Sequence, residues 1–350
     1  MLKELKHKYS DNLSNKKILI IGPYPPPMGG VSIHIKRVKI KLDKQKNKVF
    51  IFDTSQKFSN KISSFIALFK KISHTKPDII YYHEPSESIQ KFAFVTILRI
   101  FFRSNLTIID HDCRFLYKCS KIKKPIFNFL TKQSDFIVLI GDSTYKCYLD
   151  NKINIIKKIS VESPFLQPNL SEEKIILNNY PKLLHEFLKS HQPIISANAF
   201  TPVLIDGKDL YGFDMSIELI KELKKIHQKI GIVWAICKEG DRTYFESIKQ
   251  KIKNFDLKKN FYFLIGNQEF WPIIKNSDLF IRPTLSDGHS VSVKEADFLS
   301  IPILASDICL RSKNTILFKS ESISDLTNKS IKILSKIKEE NVQIPVQQKI

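Results

Sequence analysis

Short, continuous runs of aliphatic and β-branched residues alternate with longer amphipathic stretches, and the rhythm occurs twice along the chain. In the first half, residues 17–22, 49–54, 78–82, 106–110 and 135–140 read as strands, separated by helical patterns at 31–45, 61–73, 87–103 and 125–133. In the second half, strands are expected at 194–199, 231–237, 261–265, 278–282, 302–306 and 315–318, with helices over 213–227, 242–254, 269–276, 290–299 and 322–338. Strands that are apolar along their whole length belong to parallel sheets covered on both faces. The expected fold is therefore α/β, with two Rossmann-like doubly wound domains. A length of 350 residues agrees, since single cores stop growing near that size. Pro164, Pro168, Pro181 and Pro193 punctuate a polar stretch between the halves. The division this suggests is a first domain at 1–165, a linker at 166–192, a second domain at 193–321, and a C-terminal helix and tail at 322–350 placed to return toward the first domain.

Composition narrows the function classes. A hydrophobic fraction of 43% is too high for disorder. No segment reaches the ~18 uninterrupted apolar residues of a membrane span, and the best candidate, 92–102, carries Arg99. The first 17 residues are polar and lack the apolar core of a signal peptide, so a cytoplasmic protein is expected. Five scattered cysteines (Cys113, Cys119, Cys147, Cys237, Cys309) show no C-x-x-C spacing. Reduced thiols are expected, with neither a disulfide framework nor a structural zinc.

Charge is uneven. Residues 1–165 hold 30 basic and 13 acidic side chains, a net +17, whereas 166–350 hold 26 and 22, a net +4. Only seven of the cations are arginines (Arg37, Arg99, Arg103, Arg114, Arg242, Arg282, Arg311). Lysine is a point charge without arginine's planar fork, so this excess favours attraction to an anionic surface over base-specific readout.

The ten glycines cluster meaningfully. Gly22, Gly29, Gly30, Gly141, Gly240, Gly266 and Gly288 lie at or just past the carboxyl ends of expected strands, the edge of a parallel sheet where ligands bind. Most suit ordinary tight turns. Gly29-Gly30 differ, because they end the proline-rich loop GPYPPPMGGVS directly before a helix. Two residues without Cβ there let backbone N–H groups approach an anion. Neither a Walker loop nor G-x-G-x-x-G is present, so nicotinamide dinucleotides are not favoured. In RPTLSDGHSVSVKEA (282–296), a strand runs into a loop bearing Asp287-Gly288, and the following helix places Glu295 eight residues after Asp287. Two carboxylates so spaced can face one crevice, accepting hydrogen bonds from sugar or ribose hydroxyls, while the amides of Gly288, His289, Ser290 and Val291 face a phosphate.

These segments resemble family-four glycosyltransferases of the GT-B fold, retaining enzymes that use nucleotide sugars, in which two such domains face each other across a cleft. Asp287-x7-Glu295 is similar to that family's E-x7-E motif with Asp in first place, and RPTLSDGHSVSVKEADFLSIPILASD resembles a subgroup whose signature reads roughly D-G-D-S-V-S-V-R-E-A. The stretches SANAF (196–200), DLYGFD (209–214) and GPYPPPMGGVSIH also resemble it, so the likeness spans roughly residues 17–335. The resemblance implies that Glu295 holds the donor ribose, that Asp287 faces the donor sugar as a catalytic carboxylate, and that the amides of Gly288 to Val291 meet sugar or diphosphate. It implies that Gly29 and Gly30 close on the donor. His111, at a strand end, resembles the family histidine near the reacting carbon, with Asp110 and Asp112 either orienting it or capping the next segment.

There are departures. The family's Lys-Gly before the first long helix of the second domain is here Tyr211-Gly212, its nearby arginine is absent, and Lys208 is the nearest substitute; His289 stands where the subgroup has an acid. The implied activity is a retaining, metal-independent hexosyl transfer from a UDP- or GDP-sugar to a saccharide or polyprenyl-diphosphate-linked acceptor in bacterial surface polysaccharide synthesis. No metal and no cofactor is expected, since no D-x-D pair is evident. Helical patterns at 61–73 and 90–103 set Phe, Ile and Leu beside Lys and Arg. With the +17 charge they suggest peripheral attachment to an anionic inner membrane face. The rival reading is a non-catalytic basic protein binding anionic membrane or nucleic acid on a degenerate GT-B scaffold. It leaves Asp287 and Glu295 unexplained and lacks a groove of interleaved arginines and aromatics. An epimerase or phosphorylase of the same fold is disfavoured by the subgroup motifs.

Overall fold

The computed structural model describes residues 13–26, 28–83, 85, 87–112, 114–118, 122–155, 159–266, 268–287 and 290–343. The chain divides into two compact units meeting at Leu166 and Gln167. The first carries the +17 charge and the second the +4, because Leu166 is neutral.

The first unit runs β1 (Lys17–Gly22), α1 (Gly30–Lys44), β2 (Lys48–Asp53), α2 (Lys61–Thr75), β3 (Ile79–His83), α3 (Ile89–Phe101), β4 (Asn105–Asp110), α4 (Arg114–Lys118), α5 (Lys123–Lys132), β5 (Phe136–Ile140), α6 (Asp142–Asp150) and β6 (Ile159–Glu162). All six strands are parallel, in the order β2-β1-β3-β4-β5-β6. Alternate residues of each apolar run serve opposite faces, as the pleat requires. Ile18, Ile20, Tyr81, Ile109 and Val138 pack with Ile35, Val38 and Leu42 of α1. Leu19, Ile21, Ile80, Tyr82 and Ile108 pack with Leu68 and Ile72 of α2, Phe92 and Val95 of α3, Phe127 of α5 and Tyr148 of α6. Burial on both faces explains why the strand sequences are uniformly apolar.

The second unit begins with α7 (Glu173–Asn178) and α8 (Lys182–Ser190), inside the stretch expected to be a linker. That expectation is corrected. Pro181 caps α8 at its N-terminus, where a proline's missing N–H is harmless. Tyr180, Leu184 and Phe187 are buried against Ile194, Val233 and Leu264 of the sheet. Then come β7 (Ile194–Ala199), the hairpin β8 (Leu204–Ile205) and β9 (Lys208–Asp209), α9 (Phe213–Lys224), β10 (Gly231–Ile236), α10 (Arg242–Asn254), β11 (Phe261–Ile265), α11 (Trp271–Lys275), β12 (Leu279–Arg282), α12 (Val291–Phe298), β13 (Ile303–Ser306), β14 (Thr315–Phe318) and α13 (Ile323–Gln343). The main sheet is again parallel, in the order β11-β10-β7-β12-β13-β14. One face packs on α9, α10 and α13, around Trp234 stacked on Phe213 at 4.0 Å. The other packs on α8, α11 and α12. Leu326, Ile333 and Leu334 of α13 belong to the second unit's core, so this helix is part of that unit's fold.

The cysteine expectation is also corrected. Cys147, buried on α6, is disulfide-bonded, while Cys237 and Cys309 are not in disulfides. A pairing made by tertiary proximity leaves no trace in chain spacing, the only signal the sequence offered. Among the described residues, no helix is long and apolar enough to cross a membrane.

Candidate functional site

In an open parallel sheet, ligands bind where the strand order reverses, because the connections on either side turn away and leave a crevice beyond the carboxyl ends. In the first unit that point lies between β1 and β3, and in the second between β7 and β12. Each holds a polar cluster.

In the first unit the cluster is histidine. His83 ends β3, His111 follows β4, and His34 projects from α1. His83 Nδ1 and His111 Nε2 are 3.0 Å apart, so one donates and the other accepts. The His34 ring meets that of His111 edge-on at 4.8 Å. His34 Nδ1 lies 3.3 Å from the Pro164 carbonyl, which can only accept, so this nitrogen carries the proton. Gly22, at the end of β1, permits the assembly. A Cβ there would lie 2.6 Å from Ile35 Cδ1 and 2.9 Å from His83 Cβ. Burial pulls the His34 pKa down to about 4, with the Pro164 carbonyl opposing and Arg37 adding to the fall. Burial first, then the neighbouring histidines, hold His83 and His111 well below 6.5. Three neutral imidazoles therefore stand together at neutral pH. Asp110 is fully buried and accepts from the Tyr148 hydroxyl at 2.8 Å and the Asp112 amide at 3.3 Å, which ties the end of β4 to α6. The sequence singled out His111 but neither His34 nor His83. The available signal was that His83, like His111, closes an apolar strand run.

Gly29 is the N-cap of α1 in extended conformation, and its amide donates to Ser32 Oγ at 2.8 Å. A Cβ on Gly30 would meet nothing within 4 Å. Neither glycine is demanded by packing or by a positive φ, and the space before Gly30 is open.

In the second unit, three separated motifs interlock. Arg282, the last residue of β12, reaches Asn198 at the end of β7, donating from Nη1 to its carbonyl at 2.6 Å. Its guanidinium lies over the Tyr211 ring at 5.3 Å. Thr284 Oγ1 donates to the Leu210 carbonyl at 2.7 Å, and Gly212, at φ +83°, sits so close that a Cβ would lie 2.2 Å from the Pro283 carbonyl oxygen. Asp287 is gripped twice. Arg282 donates through Nε (3.0 Å) and Nη2 (3.2 Å), and Arg311, from the loop after β13, donates through Nη1 at 2.7 Å. These guanidiniums outweigh burial, which alone raises a carboxyl pKa, and hold Asp287 below the usual carboxylate range. Breaking a buried pair by removing one partner costs about 3–5 kcal/mol, so Asp287 is also a structural keystone. Neither arginine was foreseen. Arg282 opens the quoted motif, but nothing in the spacing indicated Arg311.

Glu295, in the second turn of α12, is 6% exposed, which excludes a solvated helix glutamate. Its charge, after burial and Glu269, raises the pKa of Tyr180, whose hydroxyl donates to the Glu269 carbonyl at 2.6 Å. Ser290 caps α12, accepting from the Val293 amide at 3.4 Å, and Val291 is the first helical residue. Gly288 and His289 lie outside the described residues. Lys208 is not with the cluster. It sits on the exposed hairpin and pairs with Glu321 at 2.7 Å, a surface contact worth about 0–1 kcal/mol. Among the described residues, no group of three or more His, Cys, Asp or Glu is placed to hold a metal.

Residues 208–345 match the family described as Glycosyl transferases group 1. Alpha-monoglucosyldiacylglycerol synthase of Streptococcus pneumoniae is 20% identical over 319 residues, covering 82% of this chain and 70% of that protein. An uncharacterised glycosyltransferase of Methanocaldococcus jannaschii is 24% identical over 274 residues, covering 74% of this chain and 62% of that protein. Among solved structures, a glycosyltransferase from Rickettsia africae superposes with a TM-score of 0.64 at 14% identity, covering 93% of this chain and 89% of that one. HepE of Anabaena in complex with UDP and glucose gives 0.60 at 13% identity, covering 93% and 91%. The fold is that of GT-B glycosyltransferase structures. The family match falls on the unit that holds Asp287 and Glu295.

The histidine cluster gives a pH signature. The unfolded chain binds protons at these histidines near pH 6.5, and the folded chain does not until about pH 4 for His34. Stability is therefore unaffected above 6.5 and falls as pH drops from 6.5 toward 4. Thermal melts across that window should show a decline that His34→Gln flattens; a wild-type melting temperature flat from pH 6.5 to 4.5 would contradict the assignment.

Proposed function

We propose that this protein is a retaining, metal-independent glycosyltransferase that moves a hexosyl group from a UDP- or GDP-sugar to a saccharide or lipid-linked saccharide. Its setting is bacterial surface polysaccharide synthesis at the inner face of the plasma membrane. The observation that carries the reading is the pair of buried carboxylates in the 282–296 motif, at and beside the switch point of the unit that matches the family. Asp287 is held by its two arginines and Glu295 is enclosed in the second turn of α12, and a polyhydroxyl ligand supplies further donors of the kind carboxylates accept from. Glu295 serves the donor ribose, and Asp287, kept ionised by its arginines, serves the sugar. In the first unit, neutral His111 stands at the sheet edge with a lone pair or N–H for the sugar, and His83 fixes which. The open space before Gly30 suits a ligand approaching the backbone. HepE was crystallised with UDP and glucose, which agrees with a nucleotide-sugar partner.

The chemistry asks for little more. As the nucleoside diphosphate leaves, negative charge grows on it and positive charge on the sugar, and preorganised donors and carboxylates lower that barrier. The acceptor hydroxyl attacks from the face the diphosphate vacates, which preserves the anomeric configuration.

The acceptor side is formed by α2, α3 and α5, which pack side by side on one sheet face. They leave Ile62, Ile66, Phe69, Ile97, Ile100, Phe101, Ile126 and Phe129 exposed, with Phe101 at 76%. Large apolar side chains on a strongly basic unit suit an anionic bilayer surface. The lipid product in the name of the pneumococcal relative agrees with an acceptor met there.

Two experiments test this. In a thermal-shift panel, UDP or GDP should stabilise the wild-type chain, Glu295→Ala should abolish the shift, and Gly30→Val should reduce it without lowering the intrinsic melting temperature. No shift with any nucleoside diphosphate would sink the donor assignment. Separately, the wild-type chain should sediment with vesicles containing anionic lipid and be released by salt, and Ile97→Glu/Phe101→Glu should weaken that binding by about tenfold or more. Equal binding by the double variant would remove this face from membrane contact.

A further inference from the structure

The second unit buries two guanidiniums at its switch point, and one of them is only partly engaged. Arg282 and Arg311 converge on the carboxylate of Asp287. Arg282 has every nitrogen engaged, with Nε and Nη2 on Asp287 and Nη1 on Asn198. Arg311 does not. Its side chain is 3% exposed, Nη1 donates to Asp287, and Nε and Nη2 are buried with no partner.

A guanidinium cannot relieve burial by losing its proton, and native folds seldom bury donors without acceptors. The loop that carries Arg311 had another option. Its neighbour Leu310 is 99% exposed, so an apolar side chain faces water while the cation is turned inward. That inversion of the usual preference points to a missing anion.

We infer that the unpartnered Nε and Nη2 of Arg311 form an anion site, and that its occupant is a phosphoryl group of the nucleoside diphosphate. The proposal rests on the nucleotide-sugar reading and deepens it. Two adjacent N–H groups in one plane match two phosphoryl oxygens, and the carboxyl edge of the sheet at the switch point is where such a ligand sits. The position before Gly212 cannot supply this charge, because it is Tyr211, whose ring faces Arg282. The cation comes instead from the loop after β13. Arg282 acts as a positioning residue that holds Asp287, and through it Arg311, against Asn198.

The test uses the full chain, with calorimetry and thermal shift. Inorganic pyrophosphate alone should stabilise the wild-type protein and compete with UDP or GDP. Arg311→Gln should bind the nucleoside diphosphate about tenfold or more weakly while binding the free nucleoside as wild type does, and Arg311→Lys should fall between. Unchanged nucleoside binding certifies that the Gln variant is folded. Should it not fold, the pyrophosphate measurement on the wild-type chain decides. Pyrophosphate without effect on the wild type, or a folded Arg311→Gln variant with wild-type diphosphate affinity, overturns the proposal. A wild-type chain that binds pyrophosphate but neither UDP nor GDP would instead retain the anion site and remove the nucleotide-sugar reading.

Discussion

A parallel sheet that starts in its middle and winds outward in both directions must open a gap at its carboxyl edge, and both units of this protein are built around such a gap. The first strand of each unit lies inside its sheet, with the later strands added on both sides. At the reversal, residues ending neighbouring strands are brought together without a loop to cover them. Gly22 and His83 meet there in the first unit, and Asn198 and Arg282 in the second. The rest of each cluster assembles on these pairs.

The two clusters handle burial by opposite electrostatic means. Histidines lose charge when buried, so His34, His83 and His111 become a neutral set able to donate and accept at one place. Arginines cannot, so Arg282 and Arg311 take a carboxylate between them, and that carboxylate stays ionised.

Much of this could be read from the sequence, for physical reasons. Strands buried on both faces are apolar throughout, so runs such as KILIIG and GIVWAI announced themselves, and the helices between them follow from periodicity. Residues within one local motif were also legible, since Asp287 and Glu295 share a loop and a helix start. What stayed hidden depends on tertiary convergence. Arg311 joins Asp287 across 24 residues and His83 joins His111 across 28, distances at which one chain's sequence carries no register. Lys208, near the DLYGFD motif in sequence, pairs at the surface with Glu321, 113 residues on, a contact equally invisible to local spacing. The helix α8 was missed because prolines read as breaks, although Pro181 starts that helix.

Hydrogen exchange on the full chain with and without UDP or GDP tests the central claim most directly. Binding at the second unit's switch point should slow exchange at the carboxyl ends of β7 and β12 and through the start of α12, while the edge strand β11 and the outer end of α10 keep their rates. Protection confined to that edge, or none at saturating nucleotide, would contradict the account.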